Sequence, residues 1–469
     1  MDTLFKVKFN WGFYTLVMVM VILVFPDMSW WCIIAVAITL HQFLLLFYSV
    51  GAVIPIRYLA GFFMCLQMLL GPTIAYNGAD SYQRAEFQMR ISEMEYFIYA
   101  IPAVALFIFG LHVTAGKLKG EVLDEKKISQ FVDNAGDLPY VFIGAGFLAT
   151  YVSGAFGSEL AFVLYLLSSF KFIGAFMIIL GTKKVKTWVL VLVFGSIVAS
   201  TLQKAMFHDL ITWTIMLGAV LAIKYKPNLT LKTVGAIGFI LMAVVIQQVK
   251  GSYRQAAWTG EDGGAGWQAF ENAVDAQSES GSLFSSKSLA KSNIRINQGY
   301  ILTNIMSTVP NRVPFENGAE LMQILEAAFL PRILAPDKLN AGDRTIFTKY
   351  SGLHLLPGTS MGLGSLGDAY INFGIIGGCI FMFCLGLLFS EVLNAFYKYS
   401  KYYPFLLLFT TLVFYYPIRP DCELQTSLGH LVKSCVLIYM VLFFWKKDLS
   451  KMGKKKVAKA LPTQQLTVE

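Results

Sequence analysis

Runs of about 17–25 apolar residues recur along this chain, and each is long enough to cross a bilayer as a helix. They fall near 9–25, 30–53, 57–75, 95–115, 140–156, 158–181, 188–203, 207–223, 233–249, 364–389, 404–420 and 429–445. Composition agrees: 56% of the residues are hydrophobic and 14% charged, where a soluble globular protein carries about a quarter charged. The expected fold is an all-α polytopic membrane protein with about twelve transmembrane helices. An even count places both termini on one side.

The positive-inside rule says which side. With both termini cytoplasmic, the inner segments hold Lys6, Lys8, Arg57, the Lys117–Lys127 group, Lys183, Lys184, Lys186, Lys224, Lys226, Lys232, Lys398, Lys401 and the basic tail. The short outer loops keep only Arg84, Arg90, Lys204 and Arg419. The net charge of +9 therefore reads as lipid topology, and no nucleic-acid motif accompanies it. The expected organisation is transmembrane helices 1–9 in 1–250, an extracytoplasmic loop in 251–363, helices 10–12 in 364–445 and a cytoplasmic tail in 446–469. Attraction to anionic inner-leaflet lipid explains the tail.

The six cysteines, Cys32, Cys65, Cys379, Cys384, Cys422 and Cys435, form neither a disulfide framework nor a zinc spacing. The first apolar run lacks a small-residue cleavage site and is soon followed by another span, so it reads as a retained helix. His41, His112, His208 and His430 lie in or near spans and make no metal cluster. Neither a metal nor a cofactor is expected.

The long polar loop, Gly251–Met361, is the part expected to work. A short helix is expected near Trp267–Ala276 and another from Leu283 to Ser307. A turn follows at Val309-Pro-Asn-Arg-Val-Pro314, where two prolines interrupt any helix. Gly318–Leu330 carries Leu321, Ile324, Leu325, Ala328 and Phe329, an apolar stripe at helical spacing, with Glu320 on the other face. Arg295 and Arg332 follow apolar stretches at the membrane surface, and Lys338 and Arg344 lie nearby. Guanidinium groups match phosphate bidentately and stay charged, which suits a lipid-linked diphosphate; headgroup anchoring is the plainer role. Arg419 stands at the outer end of the eleventh span, either functional or snorkelling.

The tenth span opens with Gly364-Ser-Leu-Gly-Asp-Ala-Tyr-Ile-Asn-Phe-Gly374. Its Asp368 is a general base, a partner for a loop arginine or a helix cap. Glu320 and His354 are the other candidate bases, and Asn297, Gln298, Tyr370 and Asn372 are candidates for hydrogen bonds to sugar.

Arg295-Ile-Asn-Gln-Gly299, Val309-Pro-Asn-Arg-Val-Pro-Phe-Glu-Asn-Gly318, Leu330-Pro-Arg-Ile-Leu-Ala-Pro-Asp-Lys338 and Leu366-Gly-Asp-Ala-Tyr-Ile-Asn-Phe-Gly374 together resemble the oligosaccharide repeat-unit polymerases, the Wzy-type family of O-antigen and exopolysaccharide polymerases. The resemblance implies a GT-C-like membrane glycosyltransferase of the bacterial inner membrane, working on its outer face. It implies a substrate of undecaprenyl-diphosphate-linked oligosaccharide and a possible chain-length regulator as partner. On the matching positions it implies a diphosphate-holding role for Arg295, Arg332, Lys338 and Arg419. A single displacement would invert the anomeric carbon. The related O-antigen ligase, transferring glycan to lipid A core, is one alternative. A flippase or transporter for lipid-linked sugars is the other; it would place charges along a path through the spans, where Lys171, Glu159 and Lys433 are few and scattered.

Overall fold

The computed structural model describes residues 9–78, 81, 87–115, 123–155, 158–182, 186–259, 266–279, 293–294, 296–330, 335, 337–355 and 361–452. Its regular elements are all helices. The N-terminal part runs α1 (Trp11–Val24), α2 (Trp30–Ser49), α3 (Ile56–Tyr76), α4 (Glu93–Val113), α5 (Glu125–Asn134), α6 (Leu138–Val152), α7 (Ser158–Ser168), α8 (Phe170–Leu180), α9 (Thr187–Lys204), α10 (His208–Tyr225) and α11 (Leu229–Thr259). Then come α12 (Trp267–Glu279), α13 (Gly299–Thr308), α14 (Ala319–Phe329), α15 (Arg344–Ser351), α16 (Gly364–Ser400), α17 (Leu406–Val413) and α18 (Leu424–Met452).

Among the described residues, nine helices are long and apolar enough to cross a membrane. Of the twelve expected, α1 has only 14 residues and α17 only 8. The helix α10 is not among the nine. The sequence window at 404–420 looked like a span because Phe405 and Leu406–Val413 are all apolar or buried hydroxyl residues. Every residue of α17 is buried within the protein, so its hydrophobicity serves the core.

The border expected at residue 250 falls inside α11, which continues for 31 residues, about 46 Å at helical rise. Its C-terminal end packs with α12 through Tyr253, Val249, Phe207 and Ala269, a small core separate from the main one. The expected helices at 267–276 and 318–330 are present as α12 and α14. Of the expected 283–307 helix, the regular part described is α13.

Two helices depart from regularity. In α3 one wide turn, Leu66–Leu70, interrupts the α-helical ladder, and the carbonyl of Gln67 accepts the Gln298 N–H instead at 3.1 Å. Such π-bulges commonly mark functional positions. In α16, Gly374 has φ 64° and ψ −157°, a conformation only glycine adopts readily. The chain folds back there. The Tyr99 hydroxyl donates to the Leu366 carbonyl at 2.8 Å, and a Cβ on Gly378 would stand 2.8 Å from that same hydroxyl. In one continuous helix Leu366 and Gly378 would lie about 18 Å apart. The expected tenth span therefore begins with a separate short helix, 364–373, buried nearly throughout.

Below the break, α16 and α4 touch backbone to backbone. A Cβ on Gly110 would stand 2.3 Å from the Phe383 carbonyl, and one on Gly386 2.2 Å from the Phe107 carbonyl. Small residues at such crossings let transmembrane helices gain contact over their whole length. This pair fixes the floor on which the elements of 299–351 and the 364–373 helix rest.

Candidate functional site

Three helix N-termini converge above that floor, beside the buried 364–373 helix. Asp343 is the N-cap of α15, its carboxylate accepting the Thr345 and Ile346 N–H groups. Glu320 lies in the first turn of α14. Asp368 lies in the buried 364–373 helix, and Glu423 immediately precedes α18. Asp343, Glu320 and Glu423 suit their places because helix N-termini carry unsatisfied N–H groups and partial positive charge; Asp368 lies past the first turn of its helix.

All four carboxylates line one cavity of about 30 Å³, together with Asn340, Gln425, Ile324, Leu339, Ile346, Phe347, Met361 and Leu363. That is room for one or two waters. Glu320 and Asp368 form its floor, 5% and 4% exposed. Asn372 holds them together: its amide donates to Glu320 Oε2 at 2.7 Å and to the Asp368 carbonyl at 2.8 Å, while its Oδ1 accepts the Leu321 N–H at 3.1 Å. Asp368 Oδ2 receives the Leu424 N–H at 3.4 Å. The Glu423 carboxylate accepts the Gly342 N–H at 3.0 and 2.9 Å, and Gln425 donates to the Leu339 carbonyl at 2.8 Å. The strap from Asp337 to Asp343 is thus tied to the start of α18 by side chains.

Burial pushes the Glu320 carboxyl up to about 7; the negative Glu316 adds to this, while the Asn372 hydrogen bond and Lys349 oppose it. Burial also raises Glu423, with Asp343 adding repulsion and the Gly342 and Thr426 donors working against both. A carboxyl titrating near neutrality beside other carboxylates is suited to proton transfer.

Two residues before Glu423 the electrostatics reverse. Arg419 Nη2 pairs with Asp421 Oδ2 at 3.0 Å, the side chains 18% and 29% exposed. Burial alone would raise the Asp421 carboxyl, but the Arg419 charge, its hydrogen bond and the Gln67 amide hold it below its ordinary value. Gln67 comes from the wide turn of α3 and donates to Asp421 Oδ1 at 3.4 Å. The guanidinium also lies over the Tyr416 ring at 5.7 Å. Its Nη1 is buried with no hydrogen-bond partner among the described residues. Arg419 borders a second, smaller cavity with Ser365, Cys422 and Ser427.

The other candidates are dispersed. Arg295 and Arg332 lie outside the described residues. Lys338 donates to the Ala327 carbonyl at 3.3 Å and to that of Leu330, capping the C-terminal end of α14. Arg344 and His354 are exposed at either end of α15 and do not line the acidic cavity. Asn297 is fully buried against α3, its amide reaching the Met89 sulfur at 3.5 Å, and Gln298 caps α13. The Tyr370 ring sits between Tyr99 and Phe315, with centroids at 5.2 and 5.7 Å. Of the expected catalytic residues, then, Asp368 and Glu320 meet in one cavity. Of the expected sugar contacts, Asn372 stands beside them as a bridge.

Sequence reasoning passed over Asp343, Asp421 and Glu423. The signal was present in Arg419-Pro-Asp-Cys-Glu423: two acids directly after an arginine at a membrane border call for partners. Among the described residues, no three His, Cys, Asp or Glu side chains converge as a metal site.

A family model described as a domain of unknown function (DUF8712) matches residues 92–415, a stretch that includes Glu320, Asp343 and Asp368 and ends short of Arg419 and Glu423. No curated protein and no solved structure matches the chain. The match spans well over half of the sequence, and the chain belongs to the DUF8712 family.

Proposed function

We propose that this protein polymerises undecaprenyl-diphosphate-linked oligosaccharide repeat units at the outer face of a bacterial inner membrane, with both termini cytoplasmic. One observation carries the reading: a carboxylate cavity and an arginine whose buried Nη1 has no partner among the described residues stand on either side of Asp421-Cys422-Glu423. Transfer of a glycan from a lipid diphosphate needs both. An acceptor hydroxyl loses its proton to a carboxylate as its oxygen bonds to the anomeric carbon. The bond from that carbon to the diphosphate oxygen breaks, and the electron pair leaves with the lipid diphosphate. Fixed cations stabilise the charge that grows there.

Asp368 and Glu320 are assigned as the proton-accepting pair, Asn372 as the residue that positions Glu320, and Arg419 as a group facing the diphosphate. A single displacement inverts the anomeric centre. The test is purified protein in detergent with a lipid-diphosphate-linked repeat unit. A product ladder spaced by one unit, absent in Asp368→Asn with folding intact, supports the reading. A retained anomeric configuration defeats its single-displacement step.

A second reading, a proton-coupled carrier of lipid-linked sugars, draws on the Glu320 carboxyl near 7 beside other buried acids. It requires movement of sugar-lipid across liposomes under a pH gradient without a ladder.

A further inference from the structure

The helix α15 meets the carboxylate cavity at its start and an ion pair at its end. Asp343, its N-cap, lines the cavity. Lys349 stands in its last turn, where a cation suits the helix dipole, and donates to Glu316 Oε1 at 2.8 Å. The Tyr350 hydroxyl donates to the same oxygen at 2.7 Å, and the Lys349 ammonium lies 4.5 Å from the centre of the Tyr350 ring. Glu316 is fixed from a second side, its N–H donating to the Ile371 carbonyl at 3.0 Å. Asn317 and Gly318, both left-handed, then turn the chain into α14, so Glu316 stands just before the turn that carries Glu320. Glu316 thus joins α15, the 364–373 helix and the start of α14, the three elements that bring Asp343, Asp368 and Glu320 to the cavity.

As a mechanical tie this pair is weak. The Lys349 and Glu316 side chains are 50% and 22% exposed, and a solvated ion pair adds little stability. Its charges matter more. The charged and titratable groups facing Glu320 are Glu316, Asp368, Asp343, Glu423 and Lys349, with Asn372 as its hydrogen-bond donor. Lys349 is the one cation among them. The Glu316 charge disfavours the ionised form of Glu320, and the Lys349 charge favours it. Together the two oppose each other; with either removed, the other acts unopposed.

Resting on the polymerase reading, in which Glu320 accepts the proton of the acceptor hydroxyl, we propose that the Glu316–Lys349 pair is a positioning clasp that keeps Glu320 ionised and ready for that proton. Lys349 acts through its charge, and Tyr350 acts by holding the Glu316 carboxylate in place. Neither touches the reacting atoms.

The test follows ladder formation by the full-length protein in detergent from about pH 5 to 9. Removing the lysine in Lys349→Met leaves Glu316 unopposed, so the acid limb of the rate should move up by about half a pH unit, or about threefold in rate below the limb. Glu316→Gln leaves Lys349 unopposed and should move the limb down by a similar amount. The double variant should return close to wild type, and Lys349→Arg, which keeps the charge, should not move it. Tyr350→Phe should lower the rate without moving the limb. Both shifts should shrink as salt is raised. The same titration is read without turnover, from the pH at which the Tm gap between each protein and its Glu320→Gln counterpart levels off. A tie that is only mechanical is lost equally from either side. Single variants that lower the rate with the limb unmoved, or that move it in the same direction, therefore overturn the inference and leave the polymerase reading intact. Opposite shifts in the Tm readout without any ladder uphold the clasp and sink the polymerase reading.

Discussion

The side-chain amide of Asn372 donates to Glu320 Oε2 at 2.7 Å, joining α14 to the buried 364–373 helix. Glu320 titrates near 7 instead of at its ordinary 4.5. A carboxyl raised in this way contributes stability that is complete below about pH 4.5 and is lost as pH rises through about 7. Glu320→Gln keeps an oxygen for Asn372 and removes the charge. Its apparent Tm in detergent should exceed wild type at pH 8 and match it near pH 4.5, while ladder formation falls sharply. A Tm difference that is constant across this range would show that Glu320 does not titrate there.

The break at Gly374 makes a separate prediction. With φ 64° and ψ −157°, alanine at this position is strained by about 1–3 kcal/mol, and its Cβ would press on the Phe315 ring at 3.3 Å. Gly374→Ala should lower the apparent Tm and abolish activity by moving Asp368 and Asn372. Gly235→Ala is the control: the residue lies in α11 with nothing within 4 Å of a Cβ, so the change should be neutral or stabilise by up to about 1 kcal/mol. Equal losses in both would mean that the Gly374 backbone is not special.

Much of this architecture was legible because lipid imposes a length on helices. The α14 stripe was readable in part: Ile324 and Ala328 are buried as their spacing requires, but Phe329 is exposed, and Glu320, expected on the other face, is buried one turn from Ile324. The fold-back at Gly374 was not, because a glycine inside an apolar run looks the same in a packed span and at a reversal. The same ambiguity hid α17, whose apolar run is core and far too short to span. Asp368 and Glu320 were nominated separately from helix-end and helix-face arguments, yet their meeting depends on that reversal. Glu423 and Asp343 were missed because each looks like an ordinary cap until both are seen to share one cavity with Glu320 and Asp368.

Lys338 discriminates between capping and phosphate binding. Its ammonium reaches two carbonyls at the end of α14. As a cap it is worth about 0.3–1 kcal/mol. Lys338→Met should therefore lower the apparent Tm slightly and leave KM for the lipid-linked substrate within about twofold, a change too small for a lost phosphate contact. A tenfold rise in KM with unchanged Tm would place Lys338 on the diphosphate.

Arg419 and Asp421 should behave as a unit. Removing one partner of a partly buried pair leaves an undercompensated charge and costs up to about 3–5 kcal/mol, so Arg419→Met and Asp421→Leu should each destabilise. Gln67 softens the loss of Arg419, since it also donates to Asp421. The double variant should be more stable than the sum of the two losses predicts, with a coupling of about 1–3 kcal/mol read from unfolding in detergent. Activity should separate from stability in the same set. Asp421→Leu leaves a guanidinium with two free edges, and Arg419→Met leaves none. If Arg419 faces the diphosphate, the double variant stays inactive despite its recovered stability. Activity restored together with stability would reduce Arg419 to a structural ion, leaving the leaving-group charge to cations elsewhere in 251–363.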